Sequence, residues 1–115
     1  MRLMLATLSL MLTLPALAQH AGHGAPTSMP PSASAQAYEA ANAKMHKDMD
    51  IKMTGDADRD FVAGMIPHHQ GAVDMAKIVL QYGSDPQIKA MAQDIITAQE
   101  KEIALFRAWL DKRQK

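Results

Sequence analysis

The sequence predicts an all-α protein, an antiparallel bundle of three long helices. Three observations carry this. From about Gln36 onward, apolar residues recur at three- and four-residue spacing, with no strand-like alternation. Two short runs of turn and capping residues, "TGDADRD" and "GSDP", punctuate that pattern. Short turns between long helices make the helices antiparallel neighbours. The chain has 115 residues, enough for one small domain.

Residues 1–18 have the form of a secretory signal peptide. Arg2 supplies the charged start, and Leu3 to Leu14 is apolar except for Thr7, Ser9 and Thr13. Pro15 then precedes Ala16-Leu17-Ala18, a small-x-small cleavage pattern. The apolar run is too short to span a bilayer comfortably. Cleavage after Ala18, export to a bacterial periplasm and no remaining membrane span are expected. Residues 19–35, "QHAGHGAPTSMPPSASA", lack a hydrophobic period and predict a flexible tether. This stretch carries His20, His23 and Met29. A mobile tail of this kind can capture a metal ion, or its histidines can simply be solvated.

Residues 36–115 make the helical domain. The first helix is expected from about Gln36 to Met53. Asp56 or Asp58 caps the second, which runs from Ala57 to Tyr82. In "GSDP", Gly83 suits a left-handed helix end, Ser84 or Asp85 caps the third helix, and Pro86 fits its first turn. The third helix runs from Pro86 to near the C-terminus, with Ile88, Met91 and Ile95 leading its apolar stripe. Pro67 has no N–H to give to the Ala63 carbonyl, which predicts a kink in the middle helix. Gly64 and Gly71 each cost about 1 kcal/mol against alanine in a helix interior, a sign that close approach of another helix matters there.

Composition removes several classes. There are no cysteines, hence no disulfide framework. The formal net charge is zero, which gives no footing for nucleic acid. One Trp, two Tyr and two Phe make a thin aromatic core, so partner association, as a homodimer, is expected to cover apolar surface. Ten methionines are present, seven of them beyond residue 18. They either fill the core or offer thioethers to a soft metal.

Phe61, Met65, His68, Ala72, Met75 and Val79 share one helical face, and Val62, Ile66, His69, Val73, Ala76 and Leu80 form the neighbouring stripe. Each histidine therefore stands where its row is otherwise apolar. A buried imidazole without partners costs on the order of 1–3 kcal/mol. Gln70, Asp74 or backbone carbonyls could satisfy the pair, and so could a metal. Aligning the first helix through the turn sets Met45, His46 and Met49 beside Met65, His68 and His69, with Met53 one turn beyond Met49. Thioether with imidazole suits Cu(I), while imidazole alone also accepts Cu(II) or Zn(II). Calcium and magnesium would want oxygen ligands. Carboxylates are expected only at the periphery, and Glu39, Glu100 and Glu102 form no Glu-x-x-His motif. Asp60 is a candidate to orient a histidine. Met75 and Met91, aligned across the second turn, are core residues or a secondary thioether site, and His20 and His23 are further secondary candidates.

"TGDADRDFVAGMIPHHQGAVDMAK" resembles the signature of a bacterial family catalogued as domain of unknown function 305, whose members include CopM-type exported copper-binding proteins. The resemblance covers about residues 38–112. Met65, His68, His69 and Met75 match its methionines and histidines, Asp58 and Asp60 its acids, and His46 and Met49 its upstream His-x-x-Met. It implies a ferritin-like helical fold. It also implies copper or silver binding in the periplasm, with a role in resistance or in delivery to copper-transport proteins. The leading expectation is thus a protein that captures Cu(I), with Cu(II) as a second state, and buffers it or hands it on. The alternative is a metal-independent structural or interaction module with packed methionines and a buried histidine network. An enzyme is not expected, because Ser84 and Thr54 are turn or cap residues with no base arranged beside them.

Overall fold

The computed structural model describes residues 31–113. The expected signal peptide and the tail with His20, His23 and Met29 lie outside them. The described chain is α1 (Ala33–Asp48), α2 (Ala57–Tyr82) and α3 (Pro86–Asp111), an all-α antiparallel bundle with no strand among the described residues.

Helix α1 starts three residues earlier than expected, where the Ser32 hydroxyl accepts from Ala35 N. It also stops early, at Asp48 rather than Met53. The cause lies in the next helix. The Asp60 carboxylate accepts from Thr54 N (2.8 Å), Thr54 Oγ1 (2.7 Å) and Gly55 N (2.9 Å). Gly55 has φ +89°, so the chain cannot be helical there. The two amides are drawn toward α2, which pulls the stretch before Asp56 out into a connector. Both oxygens of Asp60 are engaged in this turn rather than with a histidine.

Hydrogen bonds from Thr54 and Gly55 stabilise the ionised Asp60 and hold its carboxyl below the usual range. A depressed folded-state value means that the stabilisation is present above the unfolded carboxylate pKa, about 3.9, and is lost as pH falls through the folded value. Asp60→Asn is therefore expected to lower the melting temperature at neutral pH. The gap from the parent should close in acid. A melting series across that range checks this, and a gap independent of pH would contradict it.

Helix α2 runs uninterrupted through Pro67, capped by Asp56, whose carboxylate accepts from Asp58 N and Arg59 N. Asp85 caps α3 in the same way, with Pro86 in the first turn. Gly83 is not left-handed: its backbone is extended, at φ −73° and ψ 158°. Glycine is required there for space, since a Cβ would lie 2.6 Å from Val79 O and 2.8 Å from Val79 Cγ2.

Helix α2 is the middle element. Its Val73 and Ala76 pack against Ala92 and Ile96 of α3, with Val79 and Leu80 flanking. Met45 and Ile51 approach its other flank at Gly71 and Gly64. No Cα of α1 comes within 8 Å of a Cα of α3. The three helices thus form a layer with two unlike sides. One holds a cleft of about 360 Å³ lined by Tyr38, Met75, Val79, Ile88, Met91 and Ile95. The other holds a cleft of about 430 Å³ lined by Lys44, Asp48, Gln70, Asp74 and Arg107 among others.

Candidate metal centre

Close approach of α1 to α2 depends on a missing side chain. A Cβ at Gly71 would overlap the Met45 sulfur and lie 2.7 Å from Met45 Cγ. Met45 is accordingly half-buried, its thioether laid against the α2 backbone. This contact also fixes the register. Met45 faces Gly71 rather than Ile66 and Pro67, so α1 sits about one turn further along α2 than the sequence alignment expected. Ile51 faces Gly64. Met49 lies between these two contacts, alongside the stretch of α2 that carries Pro67 and His68. His46 is exposed in the last turn of α1, and Met49 is its C-cap residue, 39% exposed. Met53 lies in the connector and is 63% exposed.

The adjacent histidines part company, because neighbouring residues lie about 100° apart around a helix. His68 is exposed, on the side of α2 shared with Met65 and Met75. His69 is buried in the α2–α3 seam. Its Nε2 meets Glu102 Oε2 at 2.5 Å, and its ring lies edge-on to Phe106, with centroids 5.4 Å apart. Phe106 in turn meets Phe61 edge-to-face at 6.2 Å. His69 Nδ1 and Gln99 Oε1 are buried with no hydrogen-bond partner among the described residues. The His68 and His69 ring centroids are 6.0 Å apart.

The arrangement brings some predicted groups together and separates others. The last turn of α1, with His46 and Met49, lies along the segment of α2 that holds Met65 and His68. Met75 and Met91 line one cleft. No three His, Asp or Glu side chains among the described residues cluster closely enough to hold a metal ion, so the three imidazoles do not form a closed centre. Glu102 is the residue that sequence reasoning missed, as it was expected at the periphery. It follows Ile88 and Ile95 at seven-residue intervals, and the antiparallel alignment through Gly83 puts it level with the histidine pair. Those two facts could have found it.

Fold and side chains together define a small helical protein whose central helix displays histidine and methionine on an open side. The chain belongs to the family described as domain of unknown function DUF305, whose profile matches residues 2–110. It is also similar to "Uncharacterized protein L153" of Acanthamoeba polyphaga mimivirus, 42% identical over 57 residues. That match covers 50% of this chain and 38% of the viral protein.

Proposed function

We propose that this protein is exported to the periplasm and binds copper as cargo rather than acting as a catalyst. In this reading it takes up Cu(I) where the end of α1 meets the middle of α2, and buffers the ion or hands it on. His46, Met49, Met65 and His68 are the principal donors. Met45 and Met53 flank His46 and Met49 along the chain. His69 stands apart from these: Glu102 leaves its Nδ1 unused, but that atom is buried in the α2–α3 seam, so the ring would have to turn outward to reach the ion. Met75 and Met91 in the apolar cleft, together with His20 and His23, are secondary donors.

One observation carries this reading. Met49 and Met53, which do not line the α2–α3 cleft, are 39% and 63% exposed, and His46 is exposed as well. Methionines that only filled a core would be buried. Thioethers and imidazoles held at the surface suit a soft ion that must enter and leave. A second reading, the metal-independent module with a histidine network, is favoured by one feature only, the bond of buried His69 to Glu102.

Cuprous titration against a competing chelator tests the proposal. Replacing His46 and His68 together by alanine is expected to weaken binding by about a hundredfold or more, given about 10–100-fold for even the groups that orient ligands. Copper should also raise the melting temperature of the parent protein and not that of the variant. Equal affinity in the two proteins would reject the site.

A further inference from the structure

We propose that the apolar side of the α2–α3 pair binds the same side of a second copy, with the two-fold axis parallel to the helices and over their seam. Each α2 then lies on the partner's α3, and the four helices form a bundle of antiparallel neighbours.

The two rows facing outward carry this. On α2, Phe61, His68, Met75 and Tyr82 recur every seven residues, and all are exposed. On α3, Ile88, Ile95, Glu102 and Trp109 do the same; all are exposed except half-buried Trp109. A strict seven-residue repeat is the mark of a helix seam that packs on another helix. The rows are level with each other. His69, next to His68, bonds Glu102, while Met75 and Ile95 line one cleft. Phe61 meets Phe106, one turn before Trp109.

The polar groups decide the occupant. His68 and Glu102 are the only titratable side chains in these rows apart from the terminal Tyr82, and they stand at one level on neighbouring helices. The stated two-fold sets each His68 on the partner copy's Glu102, a ring N–H donor against a carboxylate acceptor. It sets Met75 on Ile95 and Phe61 on Trp109 in the same step. A lipid surface would meet a carboxylate and an imidazole in the middle of the patch, at a penalty that a second copy removes. Size fits too. The rows span about 32 Å at 1.5 Å per residue. Two helices about 10 Å apart make the patch roughly 20 Å wide. The projected area is roughly 600 Å² per copy, and side-chain relief brings it near the about 800 Å² per partner of an ordinary interface. A domain is built from two packed layers, and this chain supplies one.

Assembly needs no metal, so it is measured by sedimentation equilibrium of the full domain in chelator, with circular dichroism to confirm the fold of each variant. A reversible dimer is expected. Ile95→Glu should weaken it about a hundredfold by burying an unpaired charge. His68→Glu, which opposes two carboxylates, should weaken it about tenfold or more, while His68→Lys keeps it. A parent protein that stays monomeric, or a dimer untouched by either glutamate, overturns the assignment. So does a monomer that floats with phosphatidylglycerol vesicles, which would give the face to lipid. Copper titration separates the two readings: the dimer engages His68, so monomeric Ile95→Glu should bind Cu(I) at least as tightly as the parent, and absence of copper binding in both proteins would reject the copper site while leaving the sedimentation result intact.

Discussion

His69→Ala is expected to cost the metal-free protein about 2–4 kcal/mol of folding stability, as for other large-to-small changes in a packed interior. The ring is 5% exposed, lies edge-on to Phe106 and is bonded to Glu102. Its removal opens a void in the α2–α3 seam and strands the Phe106 edge. Glu102 loses its partner but is half-exposed, so water can replace the imidazole. Glu102→Gln keeps the ring in place and exchanges one acceptor oxygen for another. It should cost less, under about 1.5 kcal/mol. Urea unfolding of the two variants in chelator measures both. A loss below about 1 kcal/mol for His69→Ala would remove this residue from the structural account and leave metal ligation as its role.

Val73→Asp should abolish the folded state at room temperature. Val73 is 1% exposed, the one large side chain fully buried among the described residues, and its surroundings are Ala76, Ala92 and Ile96. None of these offers a hydrogen bond or a cation to a carboxylate. Burying an uncompensated polar group there costs at least several kcal/mol. Small domains hold only about 5 kcal/mol or little more in total. The expected readout is loss of the cooperative thermal transition followed by circular dichroism. Val73→Ala, which only trims the contact, should stay folded and lose about 1–2 kcal/mol. Cooperative melting of Val73→Asp near the parent's temperature would mean that this seam is not the core.

The bounds of α2 were legible because the signals for both of its ends are local. Asp56 binds amides two and three residues on, and Gly83 lies directly after the last turn. The end of α1 was not legible, because the group that ends it, Asp60, belongs to the following helix. Helical spacing continues through Met53, and nothing in that spacing shows where a carboxylate six residues away will hold the backbone. The missed end then slid the register by about a turn, carrying Met45 to Gly71. At Gly83 the sequence suggests a need for conformational range, whereas crowding by Val79 selects the glycine. In the candidate site, the adjacency of His68 and His69 in the sequence suggests convergence. Adjacent positions on a helix diverge, so one ring turned toward α3 and found Glu102, 33 residues away. The face bearing Met65, His68 and Met75 was legible, because a simple period specifies it.

The open placement of the methionines has a chemical consequence. The chain has no cysteine, so thioethers are its only sulfur and meet oxidants first. Peroxide would convert the most accessible among the described residues, Met53 and Met91, to sulfoxides before the half-buried Met45 and Met65. A sulfoxide is polar and offers oxygen where a soft ion prefers sulfur. In the proposed copper reading, grip on the ion would then weaken under oxidative stress and return with methionine sulfoxide reductase.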